Sequence, residues 1–311
     1  MINNQYYRRR FVISGIAIGV VFVYIIRLFY LQIIDQSTKD QADNNALVKQ
    51  TIYPSRGLIF DRNGELLVFN QPIYEVKITT REMKGEWDTT RFCQCLGISR
   101  AEFDERLSEI KDRRKNRGYS PYTPQVFMSQ LKKEDIASLQ EGLFLFNGVQ
   151  IQKRTLRDYT YKAAAHVLGS VGEVNQNDID RDDYYSRGDY SGRDGLERTY
   201  ERQLRGEKGM EVLMRDSRGR MQGKYHDGEL DKDAKAGTDL YTTLDIRLQL
   251  LAEELLQGKI GSAVAIEPKT GEILALASNP SWNPQVLVGK ERSKNYTELL
   301  QDPTKPLMNR A

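Results

Sequence analysis

The 311-residue sequence has very few residues of the types that form disulfides and metal sites. It contains two cysteines, Cys93 and Cys95, and two histidines. Cysteines separated by one residue are too close for an unstrained disulfide and too few for a zinc site. We therefore expect two free thiols on a helix, no disulfide framework, no cofactor and no metal centre.

The remaining candidates for metal ligands are equally weak. His166 has no cysteine or histidine at ligand spacing, and we interpret it as structural. Three aspartates at alternate positions superficially resemble a calcium loop: Asp178, Asp180 and Asp182. Asp183 stands where the sharp turn of such a loop needs glycine, however, and Asp189 replaces its bidentate glutamate. The sequence therefore does not predict a calcium site.

The sequence also lacks an excess of either charge. Its 46 basic and 43 acidic residues leave a net charge of +3, which argues against nucleic acid as a partner. The basic run at residues 111–117 fits the solvated end of a helix, because cations favour helix C-termini. A functional basic patch is the alternative interpretation.

Long apolar runs are confined to the N-terminus. Residues 11–26 carry no charge, Arg27 interrupts the run, and residues 28–34 continue it. Sixteen residues form a helix of about 24 Å, short of a roughly 30 Å hydrocarbon core, so the full segment spans only if Arg27 reaches toward the interface. We predict an uncleaved anchor at 11–34 and a cytoplasmic tail at 1–10, because basic residues precede the run. A buried core helix is the alternative.

A charged hairpin follows a polar segment at 35–50, which we interpret as a juxtamembrane helix or linker. The run Leu58–Phe60 predicts a strand, Asn63-Gly64 predicts a tight turn, and residues 65–69 return as a second strand. Two arginines and an aspartate flank the apolar run. Such a strand either pairs with complementary charges elsewhere or is a solvated surface hairpin.

The rest of the chain alternates between helical and strand patterns. Residues 73–78 predict another strand, and a mostly helical block follows from residue 82, with one helix at 101–110 capped by Ser99 and Glu102. Glycines bound a further helix that carries Leu196, Tyr200 and Leu204 on one face. The remaining predictions are a helix at 133–140, strands at 210–215 and 239–244, a turn at 217–220, a helix capped by Asp245 at 246–257, and a hairpin of residues 261–267 and 272–277.

Six motifs in a fixed order carry a family resemblance: RGLIFDRNG at 56–64, AHVLG at 165–169, GLERTYE at 195–201, LRG at 204–206, TLDIRLQ at 243–249 and GEILA at 271–275. Together they resemble the N-terminal portion of class B penicillin-binding proteins, most closely the elongation-type penicillin-binding protein 2 group. One departure is the segment at 157–161, where the family usually has proline after the first tyrosine.

The resemblance implies an α+β architecture with three parts behind the cytoplasmic tail. These are a single transmembrane anchor, an extended pedestal (dimerisation) domain at 35–237, and an incomplete transpeptidase domain at 238–311. The pedestal would carry a small inserted head subdomain at about 82–160. The implied location is the inner membrane, single-pass, with the body in the periplasm.

The implied activity is that of a peptidoglycan D,D-transpeptidase of cell elongation, which acts through an acyl-serine that β-lactams trap. Its nucleophile needs the pattern Ser-x-x-Lys. Those letters occur at Ser129–Lys132, inside the inserted block, and Lys269-Thr270-Gly271 mimics another active-site triplet at a turn. We expect the true nucleophile to follow Ala311, so that this fragment is inactive and the missing part binds stem peptides and β-lactams.

Two other functions remain open. The fragment could be a non-catalytic, membrane-anchored docking module for a RodA-type glycan polymerase and the elongation machinery, or a sensor unrelated to the cell wall. No catalytic residue is assigned. Ten residues are predicted to be structural or interfacial: Arg56, Gly57, Asp61, Arg62, Gly64, Gly195, Glu197, Tyr200, Arg205 and Gly206. We predict that Arg56 pairs with Glu197, and that Asp61 or Arg62 extends this pairing.

Overall fold

The computed structural model describes residues 3–29, 47–83, 88–114, 116, 118–215, 221–289 and 291–311. The chain divides into two compact units. The first comprises residues 1–50 and 212–230, and the second comprises residues 51–211 and 231–311.

The described elements confirm a mixed α+β architecture. The α-helices are α1 (Asn3–Phe29), α2 (Thr89–Leu96), α3 (Arg100–Lys111), α4 (Lys133–Glu141), α5 (Ala165–Leu168), α6 (Gln176–Arg181), α7 (Gly195–Thr199), α8 (Glu201–Leu204), α9 (Ile246–Leu255) and α10 (Arg292–Gln301). The strands are β1 (Leu47–Ile52), β2 (Ile59–Phe60), β3 (Leu66–Ile78), β4 (Gln125–Leu131), β5 (Val149–Tyr159), β6 (Val171–Glu173), β7 (Tyr190–Gly192), β8 (Gly209–Arg215), β9 (Met221–Lys224), β10 (Leu240–Tyr241), β11 (Gly261–Ile266) and β12 (Ile273–Asn279). Short 3₁₀ turns occupy Leu143–Leu145, Tyr225–Gly228 and Pro284–Leu287.

The first unit contains α1 and a small sheet with the strand order β1-β8-β9. None of the helices in the part of the chain that the structure describes is both long enough and apolar enough to cross a membrane. Residues 30–34 of the predicted anchor and residues 35–46 of the predicted linker lie outside the described residues, as does the turn predicted at 217–220. The end of that linker, residues 47–50, is strand and not helix or irregular linker.

In the second unit, strand β3 organises a five-stranded sheet. One edge of β3 pairs with β5 along its length from Val68 to Ile78, while the other pairs with β2 up to Val68 and with β4 from Tyr74. The sequence predicted two strands here, but β3 is continuous through Pro72. Pro72 lies between the part of β3 that pairs with β2 and the part that pairs with β4. On this edge β3 has no neighbouring strand at Pro72, so the missing backbone N–H of proline is tolerated.

The block predicted as mostly helical also contributes strands β4 and β5, so that prediction was incomplete. Its helices are confirmed, and Ser99 caps α3 by accepting from the Glu102 backbone N–H at 3.1 Å. The Glu102 carboxylate instead binds the Arg106 side chain at 2.8 Å. Glu102 and Arg106 are four residues apart on α3, so their side chains lie on the same face of the helix and form an i, i+4 ion pair.

Two hydrophobic cores lie along β3 and β5. One gathers the aromatic rings of the inserted block, with Phe92 in contact with Phe103, Phe127 and Phe146 at centroid distances of 5.3 to 5.8 Å. The two free cysteines lie on α2 beside it, as predicted. The other core surrounds the predicted hairpin and is built from residues distant in sequence: Ile59, Leu67, Val68, Tyr159, Ala164, Leu168, Leu204, Leu244 and Ile246.

The last segment folds as predicted in outline. Asp245 caps α9 by accepting from the Arg247 and Leu248 backbone N–H groups, although the helix ends at Leu255 and the preceding strand is only Leu240–Tyr241. Gln249, fully buried, exchanges two hydrogen bonds with the Leu276 backbone at 2.8 and 3.0 Å. These bonds fix α9 against β12, because a buried amide must satisfy both its donor and its acceptor.

Candidate functional site: a buried arginine–glutamate network

Arg56 and Glu197 form the predicted ion pair. Arg56 precedes β2 and Glu197 lies in α7, 141 residues away in sequence, with 2.6 Å between Arg56 Nε and Glu197 Oε2. The same guanidinium reaches α8, where its Nη1 donates to Glu201 Oε1 at 3.1 Å. Glu197 is completely buried. One arginine thus joins the strand to two short helices.

A second arginine completes the network from the opposite side. Arg157 on β5 donates from Nε to Glu197 Oε1 at 2.7 Å and from Nη1 to Asn70 Oδ1 at 3.0 Å. Asn70 on β3 donates in turn to the Arg56 carbonyl at 2.5 Å. Glu201 also accepts from Tyr185 Oη at 2.8 Å. The network therefore spans β3, β5, α7 and α8.

The electrostatics show why this network must stay intact. Burial alone would lower the pKa of Arg56, but Glu197 and Glu201 outweigh it and raise that pKa. Burial lowers the pKa of Arg157, with Glu197 opposing the shift. Burial would raise the pKa of Glu201, yet Arg56 holds it below its usual value. Burying a charge costs desolvation energy, which its ion-pair partners offset. Removing one partner therefore leaves an uncompensated buried charge and destabilises the fold.

Three of the predicted glycines let backbone segments pack closely. A Cβ on Gly57 would lie 2.0 Å from the Thr238 carbonyl oxygen, one on Gly195 would lie 2.5 Å from the Val167 carbonyl oxygen, and one on Gly206 would lie 2.4 Å from the Lys235 carbonyl oxygen. Gly195 and Gly206 also have positive φ values of 57° and 69°. Gly64 occupies the hairpin turn, where a Cβ would meet nothing within 4 Å. Close approach explains glycine at the first three positions, since any side chain would collide with main chain.

The prediction that Asp61 or Arg62 extends the network was wrong. Asp61 Oδ1 accepts from the backbone N–H groups of Asn63 and Glu65 at 2.7 and 2.8 Å, so it organises the hairpin turn instead. Arg62 lies 3.7 and 3.5 Å from the carboxylates of Glu267 and Glu272. Both residues link the hairpin to the segment after residue 238, because Asp61 Oδ2 also lies 3.4 Å from the Ile246 backbone nitrogen.

The single helix predicted around Tyr200 is two helices. Tyr200 separates α7 from α8 and is 37 % exposed, whereas Leu204 is fully buried. Arg56 Nη2 donates to the Glu197 carbonyl at 3.1 Å, which is the acceptor that the Glu201 N–H would use in a continuous helix. We attribute the break to this competition.

Two of the three aspartates that resemble a calcium loop pair with arginines, and Arg205 binds one of them, Asp182. Its Nη1 donates to Asp182 Oδ2 at 2.6 Å, and its guanidinium lies 4.0 Å from the centroid of the Tyr184 ring. Asp178 pairs with Arg193 at 2.8 Å. These aspartates neutralise arginines within the fold.

A family model described as the penicillin-binding protein dimerisation domain matches residues 51–242. The chain belongs to this penicillin-binding protein family. The match contains the whole arginine–glutamate network, since Arg56 and Glu201 both fall inside it.

Relatives of this penicillin-binding protein include peptidoglycan D,D-transpeptidases named MrdA. The chain is 35 % identical to that of Acinetobacter baumannii over 316 residues, covering 99 % of this chain and 45 % of the relative. It is 34 % identical to that of Escherichia coli K12 over 301 residues, covering 93 % of this chain and 46 % of the relative. The chain therefore spans slightly less than half of the length of these curated relatives.

Among the solved structures that share the fold are two complexes. One is a complex between the penicillin-binding protein PBP2 and MreC from Helicobacter pylori, with a TM-score of 0.62, 22 % identity, and coverage of 85 % of this chain and 49 % of that one. The other, a peptidoglycan synthase complex that coordinates polymerisation and crosslinking, has a TM-score of 0.58, 23 % identity, and coverage of 97 % and 52 %.

The Ser-x-x-Lys spacing occurs twice in the sequence of this penicillin-binding protein, both times between residues 100 and 135. Ser129 lies on β4, with Lys132 exposed just beyond it. Ser108 and Lys111, a pair that we did not consider from the sequence, lie on α3, where the Ser108 hydroxyl donates to the Glu105 carbonyl at 2.7 Å. His166 contacts the Pro306 carbonyl at 2.9 Å and the Trp282 ring at 4.5 Å, which agrees with the structural role predicted for it.

Four members of the network were missed at the sequence level: Asn70, Arg157, Tyr185 and Glu201. Glu201 ends the motif at 195–201 and Arg157 begins the segment that departs from the family pattern, but neither was predicted to join the network. No local signal in the sequence identified Arg157, because strand β5 was not predicted; its burial, with 3 % of its side chain exposed, is visible only in the structure. Because buried arginines need carboxylates, such a position points to an acidic partner elsewhere in the chain.

Proposed function

We propose that this chain is the N-terminal part of a peptidoglycan D,D-transpeptidase of cell elongation. Residues 35–237 form its pedestal, with the inserted head at about 82–160. The observation that carries the proposal is the buried network of Arg56, Glu197 and Arg157, which unites the two charged family motifs. The names of the curated relatives support the activity.

Residues 238–311 supply the first elements of the transpeptidase domain, and the catalytic serine belongs to a part of the protein outside these 311 residues. The two Ser-x-x-Lys spacings do not fill that role, because both lie in the inserted block. Stem peptides and β-lactams then bind the remaining part of the transpeptidase domain. The coverage of less than half of each curated relative supports this assignment.

Residues 11–34 anchor the protein in the inner membrane by a single pass, with the N-terminus in the cytoplasm and the body in the periplasm. The support is the sequence pattern of three arginines followed by an uncharged run. Resistance of the full chain to alkaline extraction from membranes tests whether it is anchored in the bilayer. Release into the soluble fraction would contradict it.

Fluorescent penicillin tests the assignment of the nucleophile. The purified chain of residues 1–311 should acquire no covalent label, while the full-length Escherichia coli MrdA relative, treated in parallel, should be labelled. A stoichiometric label on residues 1–311 that disappears in Ser129→Ala or Ser108→Ala would contradict the proposal.

The second candidate is a non-catalytic docking role for this part of the protein. The titles of the two structural neighbours, which name a complex with MreC and a synthase that coordinates polymerisation with crosslinking, favour it. We expect the full chain to co-purify with a co-expressed RodA-type glycan polymerase from the same organism. If the folded chain does not co-purify with that polymerase, this candidate is removed.

A further inference from the structure

A histidine of the proposed pedestal contacts residues 302–311. His166 lies on α5, and its Nε2 is 2.9 Å from the carbonyl oxygen of Pro306, a buried residue. A carbonyl oxygen only accepts hydrogen bonds, so Nε2 carries the proton in this contact. One directed hydrogen bond therefore joins segment 302–311 to a helix that lies 140 residues earlier in the chain.

The imidazole of His166 is neutral and held in one orientation. Burial lowers the pKa of His166, and Arg310 lowers it further, while the Pro306 carbonyl opposes the shift. The Trp282 ring packs against the imidazole at 4.5 Å between centroids, with the two planes 72° apart. A neutral, oriented N–H donates in a single direction, so it specifies where its acceptor lies.

The backbone on both sides of this contact is in the left-handed region, which residues other than glycine rarely adopt. Ala164, which precedes α5, has a φ of 59°, and Lys305, which precedes Pro306, has a φ of 52°. Such conformations persist only where surrounding contacts compensate for them. Two of them beside one hydrogen bond indicate that the fold specifies the geometry of this contact.

Side chains from the segment after residue 238 hold both of these backbone positions. Glu253 on α9 accepts from the Ala164 backbone N–H at 2.7 Å. Arg310 donates to three carbonyls of the loop around Pro306, at 2.8 to 3.2 Å: those of Thr304, Lys305 and Met308. The loop therefore has its own internal support and presents the Pro306 carbonyl to His166.

Segment 302–311 is also bound to the β11–β12 hairpin. Ser278 Oγ accepts from the Arg310 backbone N–H at 3.0 Å, and Ser262 Oγ donates to the Arg310 carbonyl at 2.9 Å. The segment thus contacts the first strands of the proposed transpeptidase domain and, through His166, the proposed pedestal.

We propose that His166 is a positioning residue through which the pedestal sets the course of the chain into the catalytic part of the protein. This inference rests on the proposed function, because segment 302–311 is the part of this chain nearest in sequence to the proposed catalytic serine. His166 acts through the Pro306 backbone and not on the substrate. Loss of its Nε2–H should loosen segment 302–311 and leave the buried arginine–glutamate network intact.

Hydrogen exchange of the full chain, residues 1–311, followed by mass spectrometry tests the contact itself. His166→Ala should speed amide exchange in segment 302–311 about tenfold, because one hydrogen bond contributes roughly that factor to local opening. His166→Gln should restore most of the protection, since the glutamine Nε2 can donate from nearly the same position. The matched control is His226→Ala, at a histidine whose side chain is 62 % exposed, and it should match the parent chain.

The amides of β3 report on the fold as a whole and should exchange alike in all four proteins. Unchanged exchange in segment 302–311 of His166→Ala would overturn the inference. Equal loosening by His226→Ala, or no recovery in His166→Gln, would overturn it as well, since either would assign the effect to general destabilisation.

The rate at which fluorescent penicillin acylates the full-length gene product separates this inference from the proposed function. His166→Ala should be acylated about tenfold more slowly than the parent, whereas His166→Gln and His226→Ala should stay near the parent rate. No label on the full-length parent would contradict the proposed function and, with it, this inference. A labelled parent with equally fast labelling of His166→Ala would contradict this inference alone.

Discussion

Glu197 is the residue on which the buried network depends most. It has no exposed surface, and each of its carboxylate oxygens accepts from a different arginine. Removing its charge leaves Arg157 without a carboxylate in a low-dielectric environment and leaves Arg56 with Glu201 alone. This role could be predicted from the sequence only in part, because the charge complement of two motifs indicated Arg56 as partner but gave no indication of Arg157.

Replacing Glu197 with glutamine should destabilise the chain by about 3–5 kcal/mol, since an uncompensated buried charge carries that cost. Chemical denaturation of the full chain measures the change. The matched control Glu298→Gln, at an exposed helix position, should shift stability by no more than about 0.5 kcal/mol. Equal effects of the two substitutions would show that the network contributes nothing specific.

Asp61 makes stability depend on pH in the acid range. Burial would raise its pKa, but the backbone N–H groups of Glu65, Asn63 and Ile246 outweigh this and lower it from 3.8. Because the pKa of Asp61 is lower in the folded chain than in the unfolded chain, its carboxylate stabilises the fold at pH values above the unfolded pKa. This contribution is lost as the pH falls through the folded pKa.

Asp61→Asn should therefore lower the unfolding free energy at neutral pH by about 1–3 kcal/mol and flatten its decline below about pH 4. Denaturation curves between about pH 7 and pH 3 compare the two proteins. Asp180→Asn, at an exposed position, serves as control and should keep the slope of the parent chain. A parent-like slope in Asp61→Asn would mean that another group governs the acid range.

At the scale of elements, local signals predicted the hairpin and the capped helix correctly but failed for β5. Strand β5 buries Gln152, Arg154 and Arg157, so its inward positions are polar and the usual alternation of apolar and polar residues is hidden. Only tertiary partners such as Glu75 and Glu197 explain why these side chains face inward. The break at Tyr200 was unpredictable for the same reason, since a distant arginine takes the helical acceptor.

The junction of β2 with β10 should be intolerant of any side chain at Gly57. Gly57→Ala places a Cβ 2.0 Å from a backbone oxygen and should cost more than about 3 kcal/mol, because main chain must move. Gly64→Ala is the matched control, since a Cβ there meets nothing within 4 Å. Its positive φ should lower the free energy of unfolding by only about 1–2 kcal/mol. Thermal unfolding ranks the two variants, and a smaller loss for Gly57→Ala would contradict the clash.

At the scale of the whole molecule, motifs far apart in sequence meet in one buried network. The family resemblance predicted that meeting, whereas hydropathy and spacing alone left the hairpin as either a docking strand or a solvated surface feature. The ordered motifs were informative because two of them, at 56–64 and 195–201, carry opposite charges that pair with each other. The segment predicted as a mostly helical block has its own aromatic core on the far half of β3 and β5, and its strands were not predicted.

A double-mutant cycle of Arg56→Gln and Glu197→Gln, measured by chemical denaturation of the full chain, tests the central claim most directly. The account predicts a coupling energy of about 2 kcal/mol or more, because the pair is buried and shares its partners. A coupling energy below about 0.5 kcal/mol would mean that the two motifs fold independently, and it would contradict the pedestal assignment.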